Sequence, residues 1–200
     1  MILCVSLNPA VDKMLKINSI NIGRVNRASV ESVHAGGKAV NVAFDLSLQG
    51  EDVLLTGFVG GRCGRMILDE LKQREMPNKF VMLSTETRTN MNYIDSMGNV
   101  TEILEGGHLV DAKSEEEFLH LYMNLVKKAE MIVLSGSLPI GLDEGFYSTL
   151  IDRANRVGVP VCLDTSGAPL ANAVGHSPFL IKPNINELES LTNHKYDLSP

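Results

Sequence analysis

The residues best able to do chemistry in this chain begin with Gly36-Gly37-Lys38, followed one helical turn later by Asn41. Two glycines at a helix start let free backbone N–H groups come close to an anion, and the helix dipole favours negative charge there. Lys38 adds a positive point charge, and the Asn41 amide can hydrogen-bond a polar ligand. The pattern suits a phosphorylated or hydroxyl-rich small molecule. Asp12, at the end of Asn8-Pro9-Ala10-Val11-Asp12, has a carboxylate able to accept from two neighbouring ring hydroxyls. Arg88, between Thr87 and Thr89, offers a planar fork matched to a phosphate. Ser135-Gly136-Ser137-Leu138-Pro139 is a small-residue turn in which the glycine permits close approach and Ser137 can bond a sugar. Each feature has a plainer alternative: Asp12 as a turn residue after Pro9, the glycines as a tight turn with nothing bound, Arg88 as a solvated edge residue, and Asp164 as a helix cap.

These residues need a scaffold that brings them together. Apolar runs at residues 2–7, 53–59, 131–134, 159–163 and 179–181 predict strands, and helical patterns lie between most of them. That alternation implies a parallel sheet with crossover helices. Asp12, Ser135 to Ser137, Asp164 and Lys182 to Asn184 each then fall just after a strand, where open α/β sheets bind ligands, so they should converge on one crevice. One helix is predicted to begin at Ser114 with Glu117 completing a capping box. The next carries the stripe Phe146, Leu150, Ala154, Val157 and stops at Gly158. Two segments, 13–34 and 90–105, break the rhythm and read as short alternating strands, with Met97-Gly98-Asn99 as a turn in the second. They are expected to form one small β layer covering the site.

Taken in order, Asn8-Pro9-Ala10-Val11-Asp12, Gly36-Gly37-Lys38-Ala39-Val40-Asn41, Glu86-Thr87-Arg88-Thr89-Asn90, Thr101-Glu102-Ile103, Ser135-Gly136-Ser137-Leu138-Pro139, Asp164-Thr165-Ser166-Gly167 and Lys182-Pro183-Asn184 with Glu187 resemble the ribokinase/PfkB family of carbohydrate kinases. The first motif resembles its hexose-phosphate branch, although that branch commonly has Gly where Ala39 stands. The resemblance spans nearly all the chain and implies a ribokinase-like α/β fold with a β-sheet lid that often forms a dimer contact. It implies phosphorylation of a ketohexose phosphate by ATP with Mg²⁺, fructose 1-phosphate first and tagatose 6-phosphate second. It places Arg88 on the substrate phosphate with Arg27 as a second candidate, and Asp164 and Lys182 by the nucleotide. Asn184 and Glu187 would support hydrated Mg²⁺, and they also fit a helix capping box. The Gly-Ala-Gly-Asp segment that carries the family's base and anion hole comes later than Lys-Pro-Asn, so the catalytic base is expected beyond Pro200 and no catalytic residue is assigned within the chain. The 200 residues are accordingly expected to be one domain incomplete at its C-terminus and inactive alone. A non-catalytic sugar-phosphate-binding protein is the second reading. A kinase of an unphosphorylated sugar is disfavoured by Asn8-Pro9 and Arg88.

Composition narrows the partners. With 200 residues, 44% of them hydrophobic, the chain can bury one core. A net charge of −6 argues against nucleic acid or an anionic membrane, which require a surplus of Lys and Arg. Three scattered cysteines, Cys4, Cys63 and Cys162, give no zinc or redox spacing, and the N-terminus has no basic, apolar leader, so a reducing cytoplasm is the expected setting. A P-loop would need Ser or Thr where Ala39 stands, the glycines at 57, 60, 61 and 64 miss the dinucleotide spacing, and the five histidines, most of them expected at the surface, show no ligand pattern.

Overall fold

A computed structural model describes residues 1–196. Pro200, the position beyond which the catalytic base is expected, lies outside the described residues. In chain order the elements are β1 (Ile2–Ser6), β2 (Ala10–Lys16), β3 (Ser29–Gly36), α1 (Lys38–Leu48), β4 (Val53–Gly60), α2 (Gly61–Gln73), β5 (Asn78–Leu83), β6 (Arg88–Ile94) and β7 (Val100–Leu104). They continue with α3 (Ala112–Val126), β8 (Met131–Ser135), α4 (Phe146–Asn155), β9 (Val161–Asp164), α5 (Gly167–Val174), β10 (Leu180–Ile181) and α6 (Ile185–Thr192). Six strands form a parallel sheet in the order β10-β9-β8-β1-β4-β5. Four others form a separate sheet, β3-β2-β6-β7, parallel only between β2 and β6.

The central strand β1 is buried on both faces, which is why it reads as an unbroken apolar run. Alternation then divides its side chains. Leu3, Val5 and Leu7 join the core under α3, α4 and α5, built around Phe58, Phe118, Tyr122 and Tyr147. Cys4 points the other way, into the core with Val40 and Ala43 of α1 and Ile67 and Leu71 of α2. Burial pushes the Cys4 thiol up to about 12, as befits a small hydrophobe rather than a nucleophile. No helix among the described residues is long and apolar enough to cross a membrane.

The two-sheet plan matches the expected lid, with differences that have physical causes. The first strand stops at Ser6, and Asp12 lies inside β2 rather than just beyond a main-sheet strand. Pro9 has no N–H to give a ladder, so the chain turns there and re-enters in the second sheet. The lid strands accordingly start earlier, at Ala10 and Arg88, than residues 13 and 90. Strand β5 has no counterpart among the expected strands. Its exposed Lys79 and Met82 mark it as an edge, and its apolar run is short. Helix α3 begins at Ala112, where the Asp111 carboxylate accepts from Ser114 N at 2.8 Å, so Asp111 and not Ser114 is the cap. Helix α4 ends at Asn155, leaving Val157 in the turn before Gly158. His108 is buried, an exception to the surface placement expected of most of the histidines. Its Nε2 lies 3.2 Å from Leu7 O and its ring meets Phe58 edge-on. Burial, opposed by the Leu7 bond and reinforced by the Arg88 charge, pulls this imidazole down to about 4, so it is neutral near pH 7.

Candidate functional site

The turn between β1 and β2 is where the two sheets meet, and Asn8 organises it. Its Nδ2 donates to Ser137 Oγ at 3.0 Å and lies 3.4 Å from both Gly106 O and Leu138 O, while its own carbonyl accepts from Arg88 Nε at 3.2 Å. Main-sheet loop and lid are thereby tied to one buried amide. The Ser135–Ser137 turn is fixed from below: Gly136 has φ 114, its N–H donates to Asp164 O, and its carbonyl accepts from Tyr147 Oη at 3.1 Å and Thr165 Oγ1 at 2.8 Å.

Between lid and main sheet lies a cleft of about 340 Å³ whose walls include Asp12, Gly37, Lys38, Asn41, Arg88 and Ser137. Six residues singled out by type and spacing thus share one space. The Asp12 carboxylate accepts from Asn90 Nδ2 at 2.8 Å and rests directly on Gly36, where any Cβ would overlap Asp12 Oδ2. Gly36 is therefore required by close approach, and Gly37 by its φ of 106. Gly37 is also the N-cap of α1 and contributes no side chain, which leaves the first N–H groups of the helix uncapped toward the cleft.

Arg88 is placed by its neighbours. Thr87 Oγ1 accepts from Gly60 N at 2.8 Å, and Glu86 caps α2 by accepting from the N–H groups of Cys63 and Arg62, which hold its carboxyl below the usual range. Arg88 Nη1 also donates to Glu105 O at 3.1 Å. Burial lowers its guanidinium from the ordinary value and the charges of Asp12 and Glu105 oppose this, so the group stays a cation.

Behind Lys38 and Ser135 of the cleft wall lies a triangle of charge. Asp164 Oδ1 is 3.4 Å from both Lys38 Nζ and Lys182 Nζ, and Ser135 Oγ donates to Asp164 Oδ2 at 3.3 Å. Two ammonium groups around one carboxylate leave a net positive spot in a protein of net charge −6. Asp164 ends β9 and caps nothing, since the N-cap position of α5 is Ser166.

Asp164 does not line the cleft but contacts Lys38 and Ser135, which do, and Lys182 connects to it through Asp164; three further candidates lie elsewhere. Arg27 sits exposed in the long connection between β2 and β3 and does not reach the cleft, because that connection runs out along the lid away from the main sheet. Asn184 and Glu187 form the capping box of α6, Asn184 Oδ1 accepting from Glu187 N at 2.9 Å and Glu187 Oε2 from Asn184 N at 2.8 Å. They border a neighbouring hollow of about 220 Å³ with Gly167 and Leu170. Among the described residues no three His, Cys, Asp or Glu side chains gather to hold a metal directly. The remaining Glu187 oxygen fits a cation held through its water. A larger cleft of about 390 Å³ lies between α2 and the lid, but its one cation is already engaged: Glu70 binds Ala35 N and Arg74, and Arg74 lies 4.2 Å over the Phe44 ring.

Residues 5–198 match the profile of the pfkB family carbohydrate kinases. The chain belongs to that family. A possible 1-phosphofructokinase from Thermotoga maritima is 32% identical, with a TM-score of 0.85 over 92% of this chain and 60% of that one. Phosphofructokinase-2 from Escherichia coli in complex with fructose-6-phosphate is 25% identical, with a TM-score of 0.89 over 97% of this chain and 64% of that one. Its tetrameric inhibited form, at 24% identity and a TM-score of 0.90 over 97% and 64%, shares the fold. This pfkB-family chain thus spans less than two thirds of these relatives' length.

Sequence reasoning gave no role to Asn8 or Asn90, the residues that lock the site. The signal for Asn90 was present as polar side chains alternating with Met and Thr from Arg88 to Asn92, the period of a strand with one polar face.

Gly36→Ala is expected to displace the Asp12 carboxylate and weaken the binding of a hydroxyl-bearing ligand in the cleft at least about tenfold, the scale of one charge-assisted hydrogen bond. Calorimetric titration of Gly36→Ala, Asp12→Ala and the double variant checks it. The double variant should bind no worse than Asp12→Ala alone, and fully additive losses would show that Gly36 does not act through Asp12.

Proposed function

We propose that this chain carries the substrate-binding part of an ATP-dependent kinase of a ketohexose phosphate, with fructose 1-phosphate as substrate and tagatose 6-phosphate as the alternative. The observation that carries the reading is the cleft between the two sheets. Acceptors for ring hydroxyls (Asp12, Asn41, Ser137) stand on one chain with a guanidinium, a lysine and an open helix N-terminus suited to phosphate. The likeness to a possible 1-phosphofructokinase favours fructose 1-phosphate.

In this reading Asp12 and Asn41 hold the sugar, Arg88 takes its phosphate, and the lid keeps water from the transferring group. Carbohydrate kinases of this family use ATP, which supplies the phosphoryl group. Lys38, Asp164 and Lys182 would receive the nucleotide phosphates, and Asn184 and Glu187 would hold Mg²⁺ through its water. Turnover also requires a base for the hydroxyl proton and an anion hole. The Gly-Ala-Gly-Asp segment implied by family resemblance does not occur between Met1 and Pro200. Asp12 and Asp164 are already committed to Asn90 and to the two lysines. In this reading the 200 residues bind without turning over.

The exposed lid edges, β3 and β7 with Val30, Val33 and Ile103, also suit pairing with a second copy, since open strand edges are normally covered. Sedimentation equilibrium should give twice the chain mass, lowered by Val33→Lys. A monomer at high concentration would exclude the pairing.

Arg88→Ala should weaken binding of fructose 1-phosphate by about 2–3 kcal/mol with little effect on free fructose, read by calorimetry. Equal affinities in parent and variant would remove Arg88 from the phosphate site. In a coupled ADP-release assay residues 1–200 should show no turnover, and extension past Pro200 through a Gly-Ala-Gly-Asp segment should restore it by at least about 10²–10⁴-fold. Turnover without the extension would place the base among these residues. Binding with no gain on extension would favour the non-catalytic sugar-phosphate-binding reading.

A further inference from the structure

The face of β6 turned to the cleft carries Arg88, Asn90 and Asn92, alternate residues of one strand and so about 6.6 Å apart along it. Strand pairing sets Asn90 beside Asp12 on β2 and Leu104 on β7, and sets Asn92 beside Met14 and Glu102. The cleft wall is therefore graded: a guanidinium at the root of the lid, two neutral amides, then a carboxylate across from the second amide.

The amides are not satisfied by the protein. Asn90 spends its NH₂ on Asp12, while its carbonyl oxygen is buried without a donor. The Asn92 oxygen is also buried without a donor, and its NH₂ makes no hydrogen bond to any described residue. Buried acceptors without donors are rare, and two on one wall of an open cleft mark the place where a donor-rich ligand completes them. Turning the Asn92 amide over would present its NH₂ instead, which a sugar oxygen satisfies equally. Glu102 is exposed, lines the same cleft and is in no ion pair among the described residues. Its carboxylate accepts hydroxyl protons and repels a phosphate, so it favours the hydroxyl-bearing part of a sugar phosphate at this end and leaves the phosphate to the cationic end.

We propose that Asn92 and Glu102 form a hydroxyl-reading wall that sets which hexose phosphate the cleft accepts. This rests on reading the cleft as a hexose-phosphate site. It adds two specificity-determining residues beyond Asp12, Asn41 and Arg88.

The test is calorimetric titration of the full chain, of Asn92→Leu and of Glu102→Gln with fructose 1-phosphate, tagatose 6-phosphate and inorganic phosphate. Each variant should lose about tenfold or more for the hexose phosphate the parent prefers, change the ratio between the two sugars, and lose none of its affinity for inorganic phosphate. Glu102→Gln gives a test of sign. If Glu102 acts only through its field, removing the charge tightens all three anions, which would overturn the proposal. Unchanged sugar affinity in both variants, or a parallel loss for inorganic phosphate, would overturn it too. Glu102 is exposed, so its variant remains informative even if Asn92→Leu, checked by its thermal midpoint, does not fold. A parent that binds neither sugar phosphate would defeat the underlying reading itself. A parent that binds both, with variants like the parent, would defeat the wall alone.

Discussion

The hydrogen bonds of Asn8 are the constraint on which the rest of the site depends. Its side chain reaches the Ser137 hydroxyl in the main-sheet loop, and its backbone oxygen receives Arg88 at the root of the lid. Losing these bonds would leave the buried Asn8 NH₂ unpaired as its Oδ1 already is, so the two sheets cannot drift apart without that cost. The close approach is enforced on the lid side as well. Gly107, with φ 110, leaves no room for a side chain against the Asn8 amide.

The charges are arranged to match. The net charge of −6 makes most of the molecule repel an anionic ligand, and local cations overcome it where the chain converges. Asp164 moderates the two lysines it touches and fixes them in place, while Ser135 holds Asp164 from the other side. The neighbouring lid wall carries the opposite sign at Glu102, so a ligand with one phosphate end and one hydroxyl end has a preferred orientation before any contact is optimised.

Much of this was legible in the chain. Parallel strands buried on both faces announce themselves as apolar runs, and glycine pairs announce turns, so β1, β4, β8 and β9, the Gly36-Gly37 turn and the two lid segments were readable. What escaped reading depended on contacts between distant residues. Nothing local to Ser114 says that Asp111 caps its helix first, and nothing in the apolar stretch ending at Leu83 says that it is an edge strand of the main sheet. His108 looks like any polar loop residue until Leu7 O and Phe58 enclose it. Asn90 reads as strand composition until β2 brings Asp12 beside it. Lys182 and Lys38 each stand out in the sequence for separate reasons, yet their contact with one carboxylate, Asp164, is visible only once the strand order is known.

The central claim is that the junction of the two sheets is where a hexose phosphate sits. The most direct measurement is a crystal structure of the chain grown with fructose 1-phosphate. The account predicts the sugar in the cleft, its ring hydroxyls against Asp12 and Asn41 and its phosphate against Arg88. A sugar phosphate seated instead in the cleft between α2 and the lid, beside Glu70 and Arg74, would contradict it.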